Sequence, residues 1–183
     1  MNKIMTELHQ DHIHLARVLC VLDKQLEMLK SDADADLFLM IDILDYIQHY
    51  PDLVHHPKED IVYEVFKARS TEGANIIEAL MNEHQQLPST SKELHELLDG
   101  AANGIVFVSR QELYEKIQEF SVAQRKHMNL EEEKLFPLIN KIMTDDDWAK
   151  VDATMPNNHD PLFGANLEEC YQNLYQSIKT ECG

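Results

Sequence analysis

Six residues of types that bind metal ions recur in this sequence at one fixed interval. Each half of the chain carries two histidines and a glutamate in the same order: His12, His55 and Glu59, then His84, His127 and Glu131. The differences 84 − 12, 127 − 55 and 131 − 59 are all 72. An acidic residue also precedes the first histidine of each half. A repeat of this kind predicts one site that is built from two similar halves.

The His-x-x-x-Glu spacing in each half has a direct chemical meaning. Residues four apart lie on one face of a helix, so His55 and Glu59 are expected to offer a nitrogen and a carboxylate to the same point. A carboxylate has two oxygens and can bridge two cations, whereas an imidazole binds one. Buried together without metal, these groups would face a large desolvation cost. Four histidines and two bridging glutamates therefore predict a pair of divalent metal ions.

The histidine doublet in the second helical run offers a second register. His56 and Asp60 have the same spacing as His55 and Glu59. Across the interval of 72 residues, His56 corresponds to Met128, which is not an imidazole. The repeat therefore favours His55 as the primary ligand.

Four helices must bring these residues together. Apolar residues recur at helical spacing over four runs, at roughly 2–30, 37–67, 74–98 and 109–143. In an up-and-down bundle, residues equidistant from the turn that joins their helices lie at one level. The midpoints between successive histidines fall within or beside turn-like sequence, at 33–34, 69–70 and 105–106. The sequence thus predicts an all-α, up-down-up-down four-helix bundle with its histidines at one height.

Proline and capping residues refine this outline. Pro51 and Pro57 interrupt the second run, so a kink or restart is expected between Tyr50 and Pro57. Ser109 followed by Glu112 has the form of a capping box that starts the fourth helix. Short helices at about 145–155 and 166–179 should pack on the bundle. We therefore divide the chain into a bundle at 1–143 and a C-terminal helical extension at 144–183.

Composition restricts the class of protein. The 183 residues include only five Gly and six Pro, with 44% hydrophobic residues, which favours one helical domain. A formal charge of −17 argues against nucleic acid or an anionic membrane as a partner. No apolar stretch is long enough to cross a bilayer, so we expect a soluble, cytoplasmic protein. The three cysteines, Cys20, Cys170 and Cys182, are odd in number and far apart, which argues against a disulfide framework.

At these residues the sequence resembles the hemerythrin-like, or HHE cation-binding, family of the bacterial type. The resemblance covers roughly residues 1–143, and its segments are Gln10-Asp-His12, His55-His-Pro-Lys-Glu-Asp60, Asn82-Glu-His84 and, most specifically, 127–137. Asp160-Pro-Leu-Phe-Gly164 is also similar to a tail of bacterial members. The resemblance implies a non-haem di-iron centre in a four-helix bundle. By position, the four histidines of the repeat would be terminal ligands, and Glu59 and Glu131 would bridge.

One position departs from the oxygen-carrying members of that family. They have a second histidine one turn after the third-helix ligand, and this sequence has Pro88 there. Four rather than five histidines argue against simple reversible oxygen carriage. The sequence leaves open which further residue completes the coordination, the candidates being His9, His56, Asp60, Glu83 and Glu132.

Nitrogen and oxygen ligands without thiolate suit iron, manganese or zinc. The resemblance favours two non-haem iron ions, with zinc and manganese as alternatives. The first functional hypothesis is a protein that binds or senses oxygen, nitric oxide or iron. The alternatives are a di-iron oxidoreductase acting on oxygen, nitric oxide or peroxide, a protein of iron-sulfur cluster repair, and a metal-stabilised structural bundle. The sequence leaves enzymatic activity, oligomeric state and the redox partner open.

Overall fold

The computed structural model describes residues 2–31, 33–156 and 158–182 of the chain. Asp32 and Asn157, within the turn and the loop that join the expected helices, lie outside this part. The described residues form helices and no strand, so the predicted all-α class is confirmed. Within these residues we find no helix whose length and hydropathy would suit it to a bilayer.

Four helical segments make the bundle. The first is α1 (Lys3–Lys30), and the third is α4 (Ala74–Ala102). The second consists of α2 (Leu37–His49), a π-helical turn (Pro51–His55) and α3 (His56–Arg69). The fourth consists of α5 (Arg110–Leu130), a π-helical turn (Glu131–Leu135) and α6 (Phe136–Ile142). The main difference from the predicted bounds is that α4 continues through Pro88 to Ala102.

Both π-helical turns lie beside a His-x-x-x-Glu unit. Pro51 has no N–H to donate, and after it the backbone N–H groups of Val54 and His55 both donate to the carbonyl oxygen of Tyr50, at 2.8 and 3.1 Å. The restart predicted between Tyr50 and Pro57 is thereby confirmed. The second turn begins at Glu131. Such local widenings of a helix are rare and occur often at functional sites.

Short polar side chains define where several helices begin. The side chain of Asn2 accepts the N–H of Ile4, at 2.8 Å, at the start of α1. Asp36 and Ser109 accept backbone N–H groups in the same way at the starts of α2 and α5. Each cap satisfies a donor that the first helical turn leaves unpaired. The sequence signal at Ser109 is therefore confirmed as a helix start.

The apolar core consists of two clusters with a polar layer between them. One cluster fills the end of the bundle near Leu19, Leu44 and Ile117. The other fills the opposite end, near Phe66 and Ile139. The histidines and glutamates of the repeat lie along the chain between the residues of these clusters. Water is thus excluded from the polar layer on both sides.

The C-terminal segment packs on the bundle through α7 (Asp145–Thr154), a 3₁₀ turn (Glu169–Tyr171) and α8 (Gln172–Glu181). The last helix begins later than the predicted position 166. Residues 160–168 form a turn instead: the side chain of Asp160 accepts the N–H groups of Leu162 and Phe163, at 2.8 and 2.9 Å, and the N–H of Glu168 donates to the carbonyl oxygen of Pro161 at 2.9 Å. Tyr171 and Leu174 join the apolar cluster of α1 and α2. The boundary between bundle and extension at 143 stays a prediction.

A disulfide joins Cys20 of α1 to Cys182, which follows α8. The sequence argument against a disulfide was wrong, because it considered only positions along the chain. The packing of α8 against α1 brings two residues 162 positions apart to a Cα–Cα distance of 6.1 Å. Cys170 is free and exposed.

Candidate metal centre

All six residues of the repeat lie together in the polar layer. None of them is more than 7% exposed, and Glu59 and Glu131 have no exposed surface. The histidines come from four different bundle helices, as the midpoints of the turns predicted. The set is His12, His55, Glu59, His84, His127 and Glu131.

Glu59 faces histidines of both halves. Its Oε1 lies 3.4 Å from Nε2 of His12 and 3.3 Å from Nε2 of His55, and its Oε2 lies 3.5 Å from Nε2 of His84. The two oxygens of this carboxylate therefore point to different groups of imidazoles. This is the arrangement that a carboxylate bridging two cations requires.

Glu131 repeats this geometry from the opposite side. Its Oε1 lies 3.4 Å from Nε2 of His127 and 3.6 Å from Nε2 of His84, and its Oε2 lies 3.4 Å from Nε2 of His12. Each carboxylate thus directs one oxygen toward each half of the site. The roles of Glu59 and Glu131 are equivalent in the structure, as they are in the repeat.

His56 is a seventh buried member of this layer, with 2% of its surface exposed. Its ring stacks on His84 with centroids 4.6 Å apart, and it meets His127 edge-on at 5.4 Å. Potential ligand atoms of His56, Glu59, His84 and His127 all lie within 4.8 Å of one another, as do those of His12, His55 and Glu59. His55 and His56 therefore belong to different metal-capable groups.

Every one of the five imidazoles has a carboxylate beside its Nδ1 nitrogen. The pairs are His12 with Glu132 at 2.8 Å, His55 with Asp11 at 3.1 Å, His84 with Asp60 at 2.8 Å, His127 with Glu83 at 2.8 Å, and His56 with Asp52 at 3.5 Å. A carboxylate at Nδ1 fixes the ring and leaves Nε2 as the nitrogen available to a metal. Four imidazoles are thus oriented in the same way by a hydrogen bond, whereas Nδ1 of His56 lies near Asp52 without one.

These pairs also show where the other candidates for completing the coordination lie. Asp60, Glu83 and Glu132 each lie beside the Nδ1 nitrogen of a different histidine, on the side that faces away from the centre. His9 forms hydrogen bonds with Glu132, at 2.9 and 3.0 Å, and lies outside the polar layer. His56 is the one of these five candidates that lies within a metal-capable group of the described residues.

The unpartnered atoms of this layer test whether a metal would fit. Five buried atoms at its centre have no hydrogen-bond partner: Nε2 of His12 and of His55, both side-chain oxygens of Glu59, and Oε2 of Glu131. Buried polar atoms are nearly always paired, because leaving them unpaired is costly. All five are good ligands for a divalent transition-metal ion, and they converge. The residues present fit a metal pair.

Without metal, protons supply part of the positive charge in the layer. Burial lowers the pKa of His55, but the charge of Glu59 together with hydrogen bonds to Asp11 and Glu59 outweighs this effect and raises the pKa to about 9. Burial likewise lowers the pKa of His84, and its hydrogen bond with Asp60 helps to raise it to about 10. The pKa of His56 is lowered instead, by burial and by the neighbouring imidazoles. A metal would therefore displace protons from His55 and His84.

Tyr63 is a further residue at the centre that the sequence did not single out as part of it. Its side chain is wholly buried, and its O–H donates to Oε1 of Glu131 at 2.6 Å. Burial raises the pKa of this phenol, which keeps it protonated as a donor. Asp52 is another such residue, and the hydroxyl of Ser91 donates to its Oδ2 at 2.6 Å. Both partners come from other helices, so no local spacing reveals them.

The fold and the site together define a helical bundle with a buried histidine and carboxylate centre for cations. The sequence profile of the hemerythrin HHE cation binding domain matches residues 3–139, which is most of the chain. The protein therefore belongs to the hemerythrin HHE cation-binding family. No curated protein and no solved structure matches the chain significantly.

Proposed function

We propose that this protein is a non-haem di-iron protein that binds or senses oxygen, nitric oxide or iron. The observation that carries the proposal is the pair of carboxylates, Glu59 and Glu131, each with one oxygen toward each group of imidazoles. Two cations that share two carboxylates explain this geometry, and a single cation would leave half of the oxygens unused. Iron rather than zinc or manganese is favoured by the family. We place the protein in the cytoplasm as part of this proposal.

The seven residues would hold two ions unequally. His56, His84 and His127 would bind one ion, His12 and His55 would bind the other, and the two glutamates would be shared. Bound iron would supply Lewis acidity and reversible electron exchange. The ion on the side of His12 and His55 would have one imidazole fewer. We infer that a small molecule is bound on that side.

The surrounding residues would orient the ligands and exclude water. Each carboxylate at an Nδ1 nitrogen holds its ring with Nε2 toward the centre. Phe136 stacks on the ring of His12, with centroids 5.3 Å apart and an interplanar angle of 2°. Together with the apolar clusters above and below, this packing would keep the centre dry. A dry site limits the exchange of a bound molecule with water.

The metal content of the protein tests the proposal directly. The full chain would be expressed with iron supplied, purified without chelator and measured by mass spectrometry. We expect about two irons per chain, since the donor set serves two ions. Protein that folds but binds no metal under these conditions would contradict the proposal.

Ligand binding and turnover separate the remaining functional classes. A binding or sensing protein should change its absorption spectrum on addition of oxygen or nitric oxide and should consume little of either. Sustained consumption of oxygen, nitric oxide or peroxide with an electron donor would instead indicate an oxidoreductase. If metal removal lowers stability and no ligand changes the spectrum, the metal is structural.

A further inference from the structure

Gln124 is a buried polar residue outside the set of candidate metal ligands and the carboxylates that orient them. It has no exposed surface, and among the described residues neither its side-chain nitrogen nor its side-chain oxygen has a hydrogen-bond partner. It lies on α5, three residues before His127 and four before Met128, so all three share one side of the helix. A wholly buried amide without a partner is costly to stability, which suggests that it contacts something else.

The repeat indicates where Gln124 faces. The rings of His12 and His55 lie 4.9 Å apart at 66°, and those of His84 and His127 lie 4.9 Å apart at 65°. The structure thus has approximate twofold symmetry at the centre, with residues 72 positions apart as counterparts. This symmetry can be used to locate residues relative to each pair of imidazoles.

Met128 is the counterpart of His56, since 128 − 72 is 56. His56 lies against the pair formed by His84 and His127. The symmetry therefore places Met128 against the other pair, His12 and His55. Its side chain is buried and belongs to the apolar cluster that contains Leu19, Leu44 and Ile117. An apolar side chain therefore occupies the position that a third imidazole would take beside His12 and His55.

Gln124 is in turn the counterpart of Asp52, since 124 − 72 is 52. Asp52 lies one turn before His56, with its Oδ1 3.5 Å from Nδ1 of that ring. By the same symmetry, Gln124 lies one turn before Met128, behind the place where His12 and His55 lack a third imidazole. A neutral amide at that place can donate an N–H to a molecule that occupies it.

From this arrangement we propose that Gln124 is a ligand-binding residue. It donates a hydrogen bond from its side-chain nitrogen to a small molecule held beside His12 and His55, with Met128 as the apolar wall. The molecule is a diatomic or a short linear anion whose outer atom carries a lone pair. The inference rests on the proposed function, because bound metal would be needed to hold the molecule beside His12 and His55.

Azide binding to the iron-loaded full chain tests the role of Gln124. Azide is a short linear anion with a lone pair on its outer nitrogen, and its binding can be followed by absorption. We expect Gln124→Leu to weaken azide binding at least tenfold, because the donor is lost, and Gln124→Glu to weaken it further, by repulsion. Ser121→Ala is the matched control: Ser121 is also buried on α5, but its hydroxyl donates to Asp23 at 2.9 Å. This variant should bind azide as the wild type does.

A second measurement does not depend on the metal. In metal-free protein, Gln124→Leu removes an amide without a partner and should raise the melting temperature. Unchanged azide affinity in a Gln124→Leu protein with two irons would overturn the inference and leave the proposed function standing. A lower melting temperature would also overturn it, since it would reveal a structural partner for the amide. Wild-type protein with fewer than two irons would instead refute the proposed function.

Discussion

The first half of the bundle, α1 to α3, and the second half, α4 to α6, build the centre with the same contacts. Asp11 pairs with His55, and Glu83 pairs with His127, where 83 − 11 is 72. The repeat thus extends from the ligands to the carboxylates that orient them. Asp60 and Glu132 are a second such pair and serve His84 and His12. Two similar halves that face each other thus place two carboxylates between the imidazoles of both halves.

Around the centre, three residues of the first half have counterparts of a different chemical type, and they make the two sides of the centre unequal. The first half has Asp52, His56 and Tyr63 where the second half has Gln124, Met128 and Leu135. One side of the centre therefore gains an imidazole together with its carboxylate. The other side keeps an apolar wall and an unpartnered amide. The shared positions supply the metal-capable groups, and the differing positions surround the place where we propose that a small ligand binds.

The largest effect is expected where the halves agree most closely. Glu59→Ala and Glu131→Ala each remove a carboxylate shared by both ions, so metal content should fall from about two to below one per chain in either variant. Mass spectrometry of protein grown with iron measures this. Asp60→Ala is the control, because it removes only an orienting carboxylate, with an expected loss of about 10- to 100-fold in affinity. A severe loss for only one of the two glutamates would contradict their equivalence.

Exchanging residues between the halves should remove or reverse the difference between the two sides of the centre. Met128→His adds an imidazole beside His12 and His55, so metal should be retained while azide binding is lost. His56→Met removes an imidazole from the other side, and we expect metal binding there to weaken by more than the roughly 10- to 100-fold that loss of an orienting carboxylate costs. Titration with ferrous iron and then azide measures both. Azide binding that survives Met128→His would indicate that the ligand lies elsewhere.

In metal-free protein, a rise in pH should lower the stability of the fold through a histidine of each half. The pKa values of His55 and His84 are raised to about 9 and about 10, above the ordinary value of 6.5. Their contribution to stability is therefore complete below pH 6.5 and is lost as the pH rises through 9 and 10. The melting temperature of metal-free protein should fall between pH 7 and 10. Iron-loaded protein, in which metal replaces these protons, should show a much smaller change, and an equal fall in both would be inconsistent with the assignment.

The smallest effect is expected at Tyr63, whose counterpart is Leu135. Its phenol donates to Glu131 and draws electron density from that carboxylate, so Tyr63→Phe should lower the reduction potential of loaded iron while metal content stays at two. Tyr46→Phe is the matched control, because Tyr46 is also buried and its O–H donates to Asp160 at 3.1 Å, away from the centre. Equal potentials in the two variants would reduce Tyr63 to a packing residue.

Much of the fold was available from the sequence because its determinants are local. Helical periodicity, the cap at Ser109 and the restart after Tyr50 each depend on residues within a few positions of one another. The last helix was placed too early because the turn at Asp160 depends on a side chain that accepts two backbone N–H groups. The disulfide was missed because it requires α8 to pack on α1.

The sequence by itself determined that two His-x-x-x-Glu units and two further histidines would form a cation site in a four-helix bundle. Spacing along one helix and a fixed interval between halves suffice for that, since both are properties of position. Only the tertiary structure decided that His56 joins the centre, that Tyr63 bonds to Glu131 and that Gln124 is left without a partner. These facts depend on how each helix is rotated about its axis and which residues of other helices it then meets. That rotation is set by the packing of the whole core, which local sequence patterns do not encode.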